Sequence, residues 1–158
     1  KLYRLILEEL KTMPEKLEAF LKETDRAETI ADQMYQCNDA FFIGRGVDAS
    51  VALEGSLKLK EISYINSFAI AAGELKHGTI ALIDKGTPVA LATQKELLEK
   101  TVSNIQEVKA RGAYVFAVAQ EGSEEQLKDA DEVILIPQCM DELAPILTIV
   151  LPSSTAIR

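Results

Sequence analysis

The chain has 158 residues, 47% of them apolar, with no tryptophan and a net charge of −8. That length supports one domain with a sizeable core, and the acidic balance argues against nucleic acid as a partner. No apolar run reaches the roughly 20 residues of a membrane helix, and Cys37 and Cys139 match no zinc or redox spacing, so a cytoplasmic protein in a reducing setting is expected.

Leu2, Leu5, Ile6 and Leu10 recur at helical spacing. Thr12-Met13-Pro14-Glu15 then predicts a helix restart, with Thr12 as cap and Pro14 in the first turn. Leu17, Phe20 and Leu21 give this second helix an apolar stripe. Asp25-Arg26-Ala27-Glu28 has capping-box spacing ahead of Ile30, Met34 and Tyr35. Residues 1–36 therefore read as a linker and helices, ahead of a main domain over 37–158.

From Asp39 the texture changes. Ala40-Phe41-Phe42-Ile43 is short, continuous and apolar, as a strand buried on both faces would be. Residues 88–93, 114–119 and 132–137 repeat that texture, and Ser67-Phe68-Ala69-Ile70 is a further candidate. Helical patterns fall between them at 48–65, 95–111 and, briefly, 124–130. Alternation of this kind predicts an α/β fold: a three-layer α-β-α sandwich around a mainly five-stranded parallel sheet, preceded by N-terminal helices.

Such sheets bind ligands at the carboxyl ends of their strands. The loop after the first strand, Gly44-Arg45-Gly46, is the candidate there, since glycines let backbone approach a ligand and the next helix offers free N–H groups to an anion. A tight strand-to-helix turn explains the same residues. A dinucleotide fingerprint does not, because Asp48-Ala49 stand where its third glycine is needed.

Glu54, Lys58 and Glu61 are spaced i, i+4, i+7 and fall within roughly 60° of arc on the helix after that loop. Leu53, Leu57, Leu59, Ile62 and Ile65 surround much of the remaining cylinder, which predicts a buried helix. Charges on it must line a cavity, meet partners or shift their pKa values. Surface salt bridges account for the same spacing. A chemical role is also open: the carboxylate as base toward a carbon acid, the ammonium beside a developing enolate oxygen.

His77, the single histidine of the chain, lies in the polar run Gly73-Glu74-Leu75-Lys76-His77-Gly78. A solvated or structural histidine is one reading and a proton shuttle the other. With no second histidine and no cysteine close by in sequence, neither a metal nor another cofactor is expected.

Taken together, Ala52-Leu53-Glu54-Gly55-Ser56-Leu57-Lys58-Leu59-Lys60-Glu61-Ile62-Ser63-Tyr64-Ile65 and Ala71-Ala72-Gly73-Glu74-Leu75-Lys76-His77-Gly78 resemble the sugar isomerase (SIS) domain. Asn104-Ile105-Gln106-Glu107-Val108-Lys109-Ala110-Arg111-Gly112 extends the likeness, which covers residues 1 to about 150. It is similar in particular to the second SIS domain of the glucosamine-6-phosphate synthase family, the isomerising glutamine–fructose-6-phosphate aminotransferases. The resemblance implies a flavodoxin-like sheet and an isomerase that turns fructose 6-phosphate and glutamine-derived ammonia into glucosamine 6-phosphate. It implies that Glu61 moves the proton between C1 and C2 and that Lys58 stabilises charge on the open-chain sugar. His77 would aid ring opening and reach the neighbouring subunit of a homodimer, and Glu54 would support these groups.

The sequence also departs from the family. In the family the sugar phosphate is held mainly by a Ser/Thr-rich loop of the first SIS domain, and here Thr93-Gln94-Lys95 stands at the corresponding strand end. Residues 151–158 do not follow the family pattern, where a long apolar helix and a tail with a catalytic lysine are expected. The main domain is thus expected to be truncated or altered after about residue 150, to leave a groove uncovered, to favour association with a second copy, and to turn over poorly alone. The alternatives are a non-catalytic phosphosugar-binding module and a stand-alone isomerase or deglycase of the same fold.

Overall fold

Alternating side-chain direction along each strand sorts the core into two faces. The computed structural model describes residues 2–22, 25–35 and 37–150, with backbone alone for 25–28. Its strands are β1 (Asp39–Gly44), β2 (Asn66–Ala71), β3 (Pro88–Ala92), β4 (Tyr114–Gln120) and β5 (Glu132–Ile136). They form one five-stranded sheet in the order β2-β1-β3-β4-β5, and every pairing is parallel.

Phe42, Ala90, Phe116, Val118 and Ile134 face one side. Met13 and Phe20 of α1 (Leu2–Leu21), Ile30 and Met34 of α2 (Asp25–Met34), Ala52 and Leu59 of α3 (Asp48–Ser63), and Leu147 of α5 (Ala144–Thr148) cover them. Phe41, Ile43, Val89, Leu91, Val115 and Ala117 face the other side, under Ile105 and Val108 of α4 (Leu98–Lys109) and Leu75 and Leu127 from loops. This is the three-layer α/β sandwich that the alternating sequence pattern implies. Among the described residues, no helix is long and apolar enough to cross a membrane.

Three expectations are corrected. First, no restart occurs at Thr12: α1 is one 20-residue helix with Pro14 inside it. Thr12 donates its hydroxyl to Glu9 O at 2.8 Å, so it bonds back along the helix and does not cap a new one. Both Leu10 and Pro14 are exposed, so water can take the carbonyl that Pro14 leaves without a donor. Second, residues 124–130 form turns, with Leu127 N–H on Glu124 O at 3.1 Å and Ala130 N–H on Leu127 O at 2.9 Å. Only Leu127 is fully buried there, and one side chain gives too little packing to hold a helical turn. Third, α3 is not buried all round. Its buried residues are Asp48, Val51, Ala52, Gly55, Ser56 and Leu59, a single stripe. Small residues in that stripe let the helix lie close to the sheet, where the Ser56 and Ser67 hydroxyls meet at 2.9 Å. Leu53, Leu57 and Ile62 point outward. The capping-box side chains Asp25 to Glu28 lie outside the described residues.

Candidate functional site

The strand order turns back between β1 and β3, and the chain leaves β1 there through Gly44-Arg45-Gly46. A Cβ on Gly44 would stand 2.1 Å from the carbonyl oxygen of Asp48, so only glycine admits the first turn of α3 at the strand end. Gly46 takes φ +56°, a left-handed conformation that suits glycine. Arg45 turns toward α4, donating from Nε (3.2 Å) and Nη2 (2.9 Å) to Oδ1 of Asn104. This loop thus positions α3 and grips α4.

Its close partner is Asp48. The side chain is buried, and one carboxylate oxygen accepts the Gln94 N–H at 3.0 Å, tying α3 to the end of β3. Burial pushes this carboxyl up to about 6; the Gln94 hydrogen bond works against the shift, and the charge of Asp141 adds to it. Asp141 also accepts from Gln120 Nε2 at 2.8 Å, and Gln120 Oε1 accepts the Cys139 N–H at 3.0 Å, which fixes the loop after β5.

On the outer side of α3 the structure brings Glu54, Lys58 and Glu61 together. The Lys58 ammonium lies 2.9 Å from Glu61 and 3.6 Å from Glu54. The side chains of Glu54, Lys58 and Glu61 are 44%, 34% and 50% exposed, so the three charges meet one another at the surface and not in a sealed hollow. The hydrogen bond and charge of Glu61 raise the Lys58 pKa, which keeps the amine protonated. Leu53, Leu57 and Ile62 flank the trio and are themselves exposed.

His77 ends the short turn Leu75–His77 that follows β2. Its Nδ1 is 2.8 Å from a Glu74 carboxylate oxygen, and the side chain is 71% exposed. It is therefore paired within its own turn and not with the α3 trio. Two clefts open near the strand ends. One, of about 620 Å³, is lined by Val47, Gln94, Glu96, Met140, Asp141 and Glu142. The other, of about 380 Å³, runs between α1 and the loop after β5. Neither is lined by Glu54, Lys58, Glu61 or His77.

Sequence reasoning passed over Asp48, Asn104 and Gln120. The signal for Asn104 was available: a poor helix former stands beside Ile105 and Val108 on the face that α4 buries. Asp48 offered only its place two residues after a glycine turn.

A family model for the SIS domain matches residues 33–157. The glutamine–fructose-6-phosphate aminotransferase (isomerizing) of Caldanaerobacter subterraneus subsp. tengcongensis is 53% identical over 146 residues, which is 92% of this chain and 24% of that protein. The protein of the same name from Thermus thermophilus is 49% identical over 146 residues, again 92% of this chain and 24% of the relative. Among solved structures, the C-terminal domain of glucosamine-fructose-6-phosphate aminotransferase from Francisella tularensis superposes with a TM-score of 0.89 at 35% identity, covering 95% of this chain and 43% of that one. The chain thus spans about a quarter of the length of the curated relatives it matches. With its parallel sheet, its α3 and its strand-end loops all inside the matched span, the chain belongs to the SIS domain family.

Proposed function

We propose that this chain is the isomerase part of a glutamine–fructose-6-phosphate aminotransferase (isomerising), with a phosphosugar as its ligand and the cytoplasm as its setting. The reaction takes fructose 6-phosphate and ammonia to glucosamine 6-phosphate and water. Ammonia adds to the C2 ketone and water leaves. A proton then moves from C1 to C2, so C1 is oxidised to the aldehyde level as C2 is reduced, and no external oxidant is needed.

Glu61 removes the C1 proton and returns it at C2. Lys58, held as an ammonium beside it, stabilises the oxygen on which negative charge develops. Glu54 holds Lys58 from the other side. His77 assists ring opening, and the Gly44-Arg45-Gly46 loop belongs to the sugar-binding end of the sheet. One observation carries the reading: a base and a fixed ammonium stand side by side on a helix, in a chain about half identical to relatives of that name.

Proton transfer at carbon needs water kept away, and this chain leaves the trio half exposed. We infer that a second protein surface completes the site, and that the chain pairs as a homodimer in which His77 reaches its neighbour. The outward Leu53, Leu57 and Ile62 around the trio support this, as does the exposure of His77. The test is a coupled assay for glucosamine 6-phosphate with the full-length protein that contains this chain. Glu61→Gln is expected to lower kcat by about 10² or more, and Glu61→Gln at the parent rate overturns the assignment.

A further inference from the structure

The turn that carries His77 has little of its own to hold it. It has one full anchor, Leu75, whose side chain is completely buried in the same cluster as Ile105 and Val108 of α4. Within the turn, the His77 N–H reaches Glu74 O at 2.9 Å, and the imidazole bonds back to the Glu74 carboxylate. Neither bond fixes the turn to the rest of the domain, and the Glu74 N–H on Ala71 O at 2.8 Å ties it only to the end of β2.

Two side chains of α4 do. Asn104 and Glu107 are spaced i, i+3 and so share a face. Asn104 is almost wholly buried. Its amide oxygen accepts from two nitrogens of Arg45, and its amide nitrogen points to Ala72 O at 3.4 Å. Nδ2 also lies 3.5 Å from Glu107 Oε2. The other oxygen of Glu107 holds the Lys76 ammonium at 2.8 Å, one residue before His77. In parallel, Ala72 N–H bonds Gly44 O at 2.9 Å. The chain of contacts therefore runs from the β1 loop, through α4, to Ala72 ahead of the turn and to Lys76 within it.

We propose that Asn104 and Glu107 are positioning residues that clamp the His77 turn and the Gly44–Gly46 loop to one face of α4. This rests on the proposed role of His77 for its meaning in catalysis, but not for its geometry. Asn104 is suited to the task because an amide both accepts and donates: the oxygen serves the guanidinium, the nitrogen serves the carbonyl. An aspartate there would keep the first link and lose the second. Glu107 adds a charge-assisted hold on a lysine that would otherwise swing free.

The clamp is tested by amide hydrogen exchange on the whole chain, residue by residue, and by NMR of its single imidazole. Asn104→Ala and Glu107→Ala are expected to speed exchange over residues 72–78 about tenfold and to shift the His77 ring signals, with β4 amides unchanged. Asn104→Ala is expected to speed exchange at 48–49 as well, whose amides bond Arg45 O and Gly46 O, and Asn104→Asp to restore slow exchange there but not at 72–78, a split that general loosening would not give. Glu107 is peripheral, so its variant serves if Asn104→Ala fails to fold. Folded variants with parent exchange over 72–78, or with β4 loosened equally, overturn the clamp. In the active full-length enzyme, Glu107→Ala should lower kcat at unchanged KM, and an unchanged kcat overturns the positioning role. The exchange result stands even if the isomerase assignment falls.

Discussion

The Lys58 ammonium and the Glu61 carboxylate lie 2.9 Å apart on a face of α3 that the domain leaves half in water. A pair so exposed adds little to folding, because water and salt screen it. On the proposed roles, chemistry and stability separate at these positions. Lys58→Met and Glu61→Gln are expected to leave the urea midpoint of the chain at its parent value while removing turnover from the full-length enzyme. A clear drop in the midpoint for either variant would mark the pair as structural.

Gly44 and Gly46 should answer differently to the same substitution. An alanine methyl at 44 would run into the backbone of Asp48 at 2.1 Å, where nothing flexible can yield. Gly44→Ala is expected to cost about 3 kcal/mol or more, and to leave much of the chain unfolded. At 46 the added methyl meets only the Leu97 side chain at 3.5 Å, and the cost is that of φ +56°. Gly46→Ala is expected to stay folded with a loss of about 1 kcal/mol. Denaturant unfolding of the two variants separates them, and equal losses would contradict the close approach of α3 to β1.

Burial of Asp48 makes stability depend on pH. Its folded value of about 6 lies above the ordinary 3.8, so the native chain holds this proton more tightly than the unfolded chain does. The stabilisation from this group is fully present below about 3.8 and is lost as pH rises through about 6. Asp48→Asn keeps an acceptor for the Gln94 N–H and has no such titration. The melting temperature of the parent relative to Asp48→Asn is expected to fall between pH 4 and pH 7. A flat difference across that range would show that the carboxylate stays solvated.

What could be read from the sequence follows from how local each signal is. Continuous apolar runs such as Phe41-Phe42-Ile43 have one good home, a strand covered on both faces, and β1 lies where that run lies. The i, i+4, i+7 spacing of Glu54, Lys58 and Glu61 likewise guarantees that they meet once α3 forms. The burial of α3 could not be read this way. Its leucines look like core residues, yet Leu53 and Leu57 face outward because small Gly55 and Ser56 take the contact with the sheet. Contacts across the fold could not be paired from local signals: Asn104 stands out on the buried face of α4, but nothing nearby in sequence says that Arg45 finds it at a separation of 59 residues, or that Asp48 finds Gln94 at 46.

Those outward leucines bear on association. Leu53 and Leu57 are 62% and 42% exposed, with Ile62 at 41% beside the charged trio. Burying such side chains is worth about 1.5–3 kcal/mol each when water is fully removed, and ordered charges at their centre would set the register of a partner surface. If the proposed homodimer uses this face, the chain should self-associate with concentration in sedimentation velocity. Leu53→Asp with Leu57→Asp should hold it monomeric, with the melting temperature of the parent at dilutions where the parent is itself monomeric, since neither side chain belongs to the buried stripe of α3. A parent chain that sediments as a monomer at every concentration would remove the homodimer. A double variant that still associates would move the contact to another face, away from Glu54, Lys58 and Glu61.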